Sequence, residues 1–433
     1  MHILFLSDSF PPDGNERAAR LYEHARRWVA AGHRVRVVVR APHAADGPVA
    51  KSRESVAGID VVRIRFRRKA GLFGSLAEFG SAVLAGLRGG RADAVVAALP
   101  RRSFAFAGWL VASLRRRPFV LELNELTFAP TASIDGERRR ARRGVSERLE
   151  AFLVRKATTI VAVTYAFKEE LIGRGVAAEK VAVVTNGVDL ATYVPSAGDG
   201  MLLEQLGLEG RFVVGFVGQH GTQYALDKVL DAAARLQGRS AVHFLFVGEG
   251  ATRASLIQRQ RELDLHNVTF YGGLPEERLP AIWSLCDVAL VHVRDARVFE
   301  TVIPPMLFEA MGMGLPVVAA CPAGETTRIV RSTDCGIVVP PGEPRLLADS
   351  LDRLARDAET MARLARHCAQ AAPRYGRDLL AREMLGRVAA AAGIELRTGE
   401  GPRVREPFTD AEPPAPLPVR RPSGAPSSSR TEG

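Results

Sequence analysis

Short, almost continuously apolar runs alternate with longer stretches of helical periodicity along most of this chain. Strands that are covered by helices on both faces are apolar at successive positions, so each run predicts a buried strand. The predicted strands are Ile3–Leu6, Val35–Val39, Asp60–Ile64, Ala94–Ala97, Phe119–Leu123, Ile160–Val163, Val181–Val184, Phe212–Val217, His243–Val247, Val268–Tyr271, Val288–Val291, Val317–Ala319 and Ile337–Val339. Their alternation with helices predicts the α/β class with parallel, doubly wound sheets.

The strands fall into two series, one in each half of the chain, which predicts two such domains. The stretch Tyr193–Gly200 has the Pro, Ser and Gly content of a linker and divides the chain into domains at 1–195 and 201–372. Helically spaced apolar residues predict a last helix within 373–392, and this helix needs a surface to cover. Residues 397–433 are rich in Pro, Ser, Gly and charge, the composition of a disordered tail.

Composition narrows the class of protein only in part. With 433 residues, 47% of them hydrophobic, the chain has enough apolar side chains for two cores. No uncharged apolar run reaches the roughly 18 residues of a membrane span, and a strand opens the N-terminus where a signal segment would stand, so a cytoplasmic location is expected. The four cysteines form no C-x-x-C pair and are expected to be reduced, structural thiols.

The net charge of +11 indicates an anionic partner, for which nucleotide, nucleic acid and acidic lipid all qualify. Basic runs lie at Arg115–Arg117 and Arg138–Arg143. Such runs are usually solvated faces, and the alternative is an anionic membrane surface at the inner face of the plasma membrane. Aromatic residues are not interleaved with them, so a nucleic-acid partner is not expected. No D-x-D pair occurs, so neither a metal on a diphosphate nor another cofactor is expected.

The segment between Phe299 and Val318 is the most informative one and reads F-E-T-V-I-P-P-M-L-F-E-A-M-G-M-G-L-P-V-V. Pro305 suits the first position of a helix, which leaves the amides of the next three residues directed outward as an anion site. Glu309 lies one turn further and can accept hydrogen bonds from the hydroxyls of a ribose. Together these features suggest a nucleoside-diphosphate site, and a buried helix start with a dipole-stabilised glutamate is the alternative.

Loops after other predicted strands supply further candidates, because ligands of open α/β sheets bind beyond the carboxyl ends of the strands. Their glycines allow close backbone approach, and their histidine and arginines can meet a phosphate. Ordinary glycine turns and solvated side chains are the alternative. The candidates are Gly14, Asn15, Gly218, His220, Gly248, Arg294 and Arg297. The absence of G-x-G-x-x-G after the first strand argues against a nicotinamide-dependent oxidoreductase.

Several motifs, in order along about residues 1–392, resemble the retaining glycosyltransferases of family four. They are G-H-R-V-R-V-V-V from Gly32, V-V-T-N-G-V-D from Val183, E-A-M-G-M-G-L-P-V-V from Glu309 and G-I-V-V-P-P-G-E-P from Gly336. Within that family, F-P-P-D-G-N, G-Q-H-G, L-V-H-V-R-D, T-V-I-P-P and A-G-E-T are similar to bacterial polysaccharide enzymes that resemble N-acetylfucosamine transferases.

The resemblance implies a GT-B fold, in which two Rossmann-like domains face a cleft and the last helix returns to the first domain. The second domain would bind a nucleotide sugar, with a UDP-sugar favoured. The first would bind the acceptor, a polysaccharide, a glycolipid or another lipid-linked glycan. The sugar would be transferred with retention at the anomeric carbon and without a metal.

By position, Glu309 corresponds to the second glutamate of the family's E-x7-E motif, which binds the ribose. Gly14 belongs to the loop that approaches the donor phosphate. Glu125 falls where the subgroup has an Asp on the acceptor side and is the candidate catalytic residue. Ile303 and Glu325 lie in the subgroup's motifs and are expected to bind substrate.

The chain also departs from the family pattern. Thr301 stands at the first glutamate of E-x7-E, and is taken as a substrate contact in its place. Gln219 and Tyr224 replace the Arg and Lys that usually hold the diphosphate. Where the subgroup reads P-S-K, this chain has Pro305 and Met306, which removes an amide, a hydroxyl and a cation. The two arginines and the histidine named above are the candidates to compensate. These losses keep open a nucleotide-sugar-binding protein with little or no turnover.

Overall fold

The computed structural model describes residues 1–12, 16–41, 52–64, 72–125 and 140–396. Its contacts divide the chain into two compact units. Of the described residues, the first unit comprises Met1–Asn186 together with residues 377–396, and the second comprises Gly187–Gly376. Each unit is built on one sheet of predominantly parallel strands, as the sequence predicted.

The first unit has an eight-stranded sheet. Its strands are β1 (His2–Ser7), β2 (Arg34–Arg40), β3 (Ser52–Val56), β4 (Ile59–Ile64), β5 (Ala94–Leu99), β6 (Phe119–Leu123), β7 (Thr159–Ala162) and β8 (Val181–Val183). They lie in the order β3-β4-β2-β1-β5-β6-β7-β8, and only β3 pairs antiparallel. The sequence prediction missed β3, since Arg53, Glu54 and Ser55 are exposed and give no apolar signal.

Helices cover both faces of this sheet. They are α1 (Glu16–Ala30), α2 (Leu72–Leu87), α3 (Arg102–Leu114), α4 (Arg140–Lys156), α5 (Tyr165–Gly173) and, from the end of the chain, α14 (Arg377–Ala391). Successive strand residues alternate between two apolar clusters, as Leu4 and Phe5 show. Helices α2 to α5 pack on one cluster, and α1 and α14 pack on the other, where Trp28 Nε1 donates to the Ala381 carbonyl at 2.8 Å.

The second unit has a six-stranded, wholly parallel sheet. Its strands are β9 (Phe212–Val217), β10 (Val242–Val247), β11 (Val268–Tyr271), β12 (Val288–His292), β13 (Val317–Ala320) and β14 (Gly336–Val339). Its helices are α6 (Gly200–Gln205), α7 (Leu226–Leu236), α8 (Arg253–Glu262), α9 (Leu279–Trp283), α10 (Pro305–Gly312), α11 (Glu325–Thr333), α12 (Pro344–Arg356) and α13 (Ala358–Ala371). The order β11-β10-β9-β12-β13-β14 reverses direction at β9, so the loops after β9 and β12 flank a switch point, the usual place for a ligand.

The units divide at a different residue from the one that the sequence suggested. The first predicted domain ends at residue 195, but Val188 and Tyr193 are fully buried in the core of the second unit. The linker-like stretch instead leads into α6, whose first amides are capped by the side chain of Asp199. The predicted tail at 397–433 lies outside the described residues. Among the helices that the structure describes, none is long and apolar enough for a membrane span.

Candidate functional site

Helix α10 begins as the Pro-Pro pair predicts. Pro304 is the N-cap residue and Pro305 is the first helical residue, where its missing N–H leaves no broken bond. The predicted set of three outward amides is not intact, because the amide of Leu307 donates to the Pro304 carbonyl at 3.1 Å. The helix ends in a turn in which Gly314 adopts a φ of 67°, a left-handed conformation that favours glycine.

Glu309 lies one turn into α10, and its side chain is partly exposed. Its Oε2 accepts a hydrogen bond of 2.9 Å from Nε1 of Trp283, the last residue of α9. The Trp283 side chain is fully buried, so the indole N–H reaches the carboxylate from the core of the unit. Trp283 was not predicted from the sequence, because a single Trp at the end of a five-residue helix carries no motif.

Two glycine loops adjoin the start of α10. A Cβ on Gly248 would lie 2.0 Å from the Gly218 carbonyl oxygen, so the loops after β9 and β10 touch backbone to backbone. A Cβ on Gly218 would lie 3.0 Å from Cε of Met306, in the first turn of α10. The structure therefore brings Gly218, Gly248 and the helix start together. The close packing between the two loops is by itself enough to explain why glycine occupies both positions.

His220 is placed differently from the sequence expectation. Its imidazole is fully buried among the rings of Phe216, Phe246 and Phe270, with centroids 5.9 to 6.3 Å away. Neither ring nitrogen has a hydrogen-bond partner among the described residues. Burial, with a smaller contribution from Arg253, lowers the pKa of His220 to about 4, so the ring is neutral at pH 7. This placement does not support the expected contact with a phosphate.

The loop after β12 is tied to the loop after β9. The Arg294 amide donates to the Gln223 carbonyl at 2.8 Å, and His292 Nδ1 donates to the Tyr224 carbonyl at 2.6 Å. The side chains of Arg294 and Arg297 are exposed, and neither forms an ion pair with a described residue. Both guanidinium groups are therefore available to an anion beside the switch point.

Three further candidates have side chains that are already engaged by the protein. Thr301 Oγ1 donates to the Val298 carbonyl at 3.2 Å, and Ile303 is buried in the core of the unit. Glu325, the first residue of α11, is buried and ion-paired with Arg328. These placements do not support direct side-chain contacts with a substrate for the three residues.

In the first unit, Glu125 follows β6, and its side chain is 60% exposed. Its Oε1 accepts from Arg17 Nη1 at 2.6 Å, and Arg17 Nη2 lies 3.7 Å from Oδ2 of Asp8, directly after β1. Arg17 and Asp8 were not predicted from the sequence, although a carboxylate directly after the first strand is a signal that the sequence contains. Gly14 and Asn15 lie outside the described residues.

A buried ion pair fixes the loop that carries the T-N-G motif. Arg20 Nε donates to Oε1 of Glu122 at 2.8 Å, and both side chains are almost fully buried. The remaining guanidinium nitrogens donate to the carbonyls of Thr185 at 2.6 Å and Val184 at 2.8 Å. One arginine thus connects β6 and α1 to the end of the first unit's sheet.

Comparison with known proteins identifies the class. HepE of Anabaena, solved in complex with UDP, superposes with a TM-score of 0.70 at 23% identity, covering 90% of this chain and 100% of that one. Sucrose-phosphate synthase of Thermosynechococcus elongatus gives a TM-score of 0.72 at 19% identity, with the same coverage. These likenesses, together with the two doubly wound units, define a GT-B fold, which confirms the predicted fold class.

Family matches and relatives agree with that class. Residues 18–187 match the glycosyl transferase 4-like domain, and residues 202–372 match glycosyl transferases group 1. The chain therefore belongs to the family-four type of glycosyltransferases, enzymes that use nucleotide-sugar donors. D-inositol 3-phosphate glycosyltransferase of Salinispora tropica is 29% identical over 87% of this chain and 81% of that protein. GDP-mannose-dependent alpha-mannosyltransferase of Mycobacterium tuberculosis is also 29% identical, over 49% of this chain and about half of that protein, 52%.

Proposed function

We propose that this protein is a retaining glycosyltransferase that moves a sugar from a nucleoside diphosphate to a polysaccharide, glycolipid or lipid-linked acceptor during cell-envelope assembly. The observation that carries the proposal is the partly exposed Glu309, held by Trp283 beside the glycine loops at the start of α10. A carboxylate in this position can accept hydrogen bonds from both ribose hydroxyls, while the helix start and loop backbone approach the diphosphate.

The donor is proposed to be a UDP-sugar, since HepE was solved with UDP and with UDP-glucose. Arg294 and Arg297 would neutralise the leaving diphosphate, because they are the exposed cations beside the switch point. Gly14 and Asn15 are proposed to approach the donor phosphate. Retention and independence from metal rest on the likeness to family four, and the likeness to N-acetylfucosamine transferases remains part of the proposal.

The acceptor is proposed to bind at the carboxyl ends of β1 and β6 in the first unit. There, Arg17 connects the carboxylates of Glu125 and Asp8. A partly exposed carboxylate can accept a hydrogen bond from an acceptor hydroxyl and orient its oxygen for attack. The hydrogen bond from Arg17 restricts the orientation of the Glu125 carboxylate, which favours a defined position for the acceptor hydroxyl that it would bind. The enzyme would work in the cytoplasm at the inner face of the plasma membrane.

The test is thermal-shift binding of UDP, GDP, dTDP and ADP to wild type, Glu309→Gln and the control Glu204→Gln, which changes an exposed carboxylate on α6. A nucleotide at 100 times its Kd raises the free energy of unfolding by about 2.7 kcal/mol. We expect one nucleotide to raise Tm in wild type and control but not in Glu309→Gln. An equal shift in all three proteins would remove Glu309 from the site.

A second candidate function is nucleotide-sugar binding without turnover. It is favoured by the position at which the family usually has a Lys, where Tyr224 stands and packs its ring against Phe216 at 5.2 Å. The nearest lysine along the chain, Lys228, lies one turn further, 3.8 Å from Asp231. A radiolabelled donor distinguishes the two functions. Hydrolysis or transfer above background excludes the non-catalytic function, and binding without either reaction would place it first.

A further inference from the structure

The helical face of the first unit formed by α2, α3 and α4 carries exposed leucines. Leu76, Leu84 and Leu87 follow one another along α2, with exposed fractions of 55%, 42% and 37%, and Leu114 at the end of α3 is 60% exposed. The spacing of eight and three residues places the α2 leucines on one side of the helix. Single exposed leucines are ordinary, but an aligned set on neighbouring helices indicates a surface that meets an apolar partner.

The two packed helices α2 and α3 expose no carboxylate. The only charged residue of α2 is Glu78, which is buried and accepts from Arg101 Nη2 at 2.9 Å and from Ser103 Oγ at 2.7 Å. The only charged residue of α3 is Arg102, which pairs with the buried Glu150 at 3.0 Å. The exposed surfaces of α2 and α3 are therefore apolar and lack the acidic residues that commonly keep an exposed helix soluble.

Aromatic residues extend the surface across α3 and α4. Trp109 and Phe152 pack edge to face with centroids 4.8 Å apart, and Phe106 stacks on Phe152 at 5.6 Å. All three rings are partly exposed. The cations of Arg155 and Lys156 both lie 5.9 Å from the Phe152 ring. A partly exposed Trp beside basic residues is typical of the boundary between lipid head groups and acyl chains.

Further cations lie where α2 and α3 end. Arg88, Arg116 and Arg117 are exposed, and none of them pairs with a carboxylate in the described part of the chain. Arg115 differs from its neighbours, because its guanidinium donates to the last carbonyls of α2 and holds the two helix ends together. The exposed carboxylate of Glu147 lies earlier on α4. The four leucines, the three aromatic residues and the five cations Arg88, Arg116, Arg117, Arg155 and Lys156 are called the α2–α4 face.

We propose that the α2–α4 face docks the protein on an anionic phospholipid bilayer. The leucines and Trp109 enter the interface between head groups and acyl chains, and the five cations contact lipid phosphates. Charge complementarity selects this partner, since the face combines apolar side chains with unpaired cations and exposes no acidic residue on α2 or α3. This docking proposal deepens the proposed function by assigning the residues that contact the membrane. It rests on the proposed function only in assuming that the acceptor is lipid-linked.

The test is co-sedimentation of the full chain with vesicles of phosphatidylcholine, with and without phosphatidylglycerol. One variant combines Arg116→Gln with Arg117→Gln, and a second combines Leu76→Gln with Leu114→Gln. The control combines Arg345→Gln with Leu346→Gln, an exposed arginine and leucine on α12 of the second unit. We expect wild type and control to bind phosphatidylglycerol vesicles equally, and the arginine variant to bind about 30-fold more weakly.

The leucine variant is expected to bind phosphatidylglycerol vesicles about tenfold more weakly than wild type. At high salt, the difference between wild type and the arginine variant should vanish, whereas the difference between wild type and the leucine variant should remain. Absence of binding at low salt, or equal binding of all four proteins, would overturn the proposal. Loss of self-association in the leucine variant without a change in vesicle binding would assign the face to a second copy of this chain instead. Nucleotide-induced thermal shifts should persist in every variant, so failure of membrane docking is distinguishable from failure of the proposed function.

Discussion

The hydrogen bond between Trp283 and Glu309 predicts a positioning role for a residue that touches no ligand. Trp283→Phe removes the indole N–H that lies 2.9 Å from Oε2 of the carboxylate and keeps an aromatic ring in the core. If Glu309 binds the ribose, the indole fixes the orientation of the carboxylate before the ligand arrives. We therefore expect the variant to bind its nucleotide more weakly and to discriminate ribose from 2′-deoxyribose less well.

The expected loss of nucleotide affinity follows from the conformational freedom that the Glu309 carboxylate regains in Trp283→Phe. Immobilising one flexible side chain on binding costs about 0.5–1.5 kcal/mol, which the preformed bond saves in the wild type. A middle value of about 1 kcal/mol corresponds to about a fivefold increase in Kd. The protein also loses stability, since the bond has a charged acceptor worth about 1.5–3 kcal/mol and the smaller ring leaves a cavity beside it.

The assay compares Kd values for a ribonucleoside diphosphate and its 2′-deoxy form by calorimetry. Trp28→Phe is the matched control, because Trp28 is equally buried and its indole donates to a backbone carbonyl in the first unit at 2.8 Å. We expect both variants to lose stability but only Trp283→Phe to lose affinity and ribose selectivity. If both bind the nucleotide as the wild type does, Trp283 serves packing alone and the positioning argument is refuted.

Three further predictions concern stability in urea. Gly248→Ala should lower the free energy of unfolding by about 3 kcal/mol or more, since its Cβ would lie 2.0 Å from a carbonyl oxygen. Gly386→Ala, where a Cβ on α14 meets open space, should instead raise the free energy of unfolding by about 0.5–1 kcal/mol. Arg20→Met should cost about 3–5 kcal/mol by stranding the buried Glu122, and Arg20→Met combined with Glu122→Leu should recover part of it. The pKa of His220 is lowered to about 4, so the unfolded chain binds a proton at higher pH than the folded chain, and His220 contributes a loss of about 3 kcal/mol of stability between pH 6.5 and 4. His220→Phe should remove this contribution and leave that of His243, whose pKa is also lowered to about 4.

Much of the fold was predictable because burial on both faces leaves a direct trace in the sequence. Runs such as Phe212–Val217 and Phe119–Leu123 are apolar at almost every position, and the structure has a strand at each predicted place. Only β3 left no trace, because its pairing with β4 depends on a tight turn at Ala57 and Gly58, both at positive φ, and not on an apolar face. Alternation of elements predicts topology well, but it does not predict edge strands.

The candidate site was less predictable, because its contacts join residues distant in sequence. The Pro-Pro pair and the following glycines predicted where α10 begins and ends, and therefore the place of Glu309. The partners Trp283 and Arg17 come from other elements, 26 and 108 residues away from Glu309 and Glu125 respectively. A sequence motif can identify a candidate site residue, but the side chain that positions this residue is identified only from the folded structure.

The burial of His220 shows why electrostatics could not be read from residue types alone. A histidine in a glycine loop after a strand suggested a charge for the diphosphate, but burial between phenylalanines from three strands keeps the ring neutral. Lys228 Nζ lies 3.8 Å from Oδ2 of Asp231 on the same helix, so the neighbouring carboxylate partly offsets its charge. Arg294 and Arg297, whose side chains are exposed, therefore remain the proposed source of positive charge for the diphosphate. Ordering two exposed arginine side chains on a diphosphate costs conformational entropy, so we expect this site, if both arginines bind there, to hold the nucleotide product weakly.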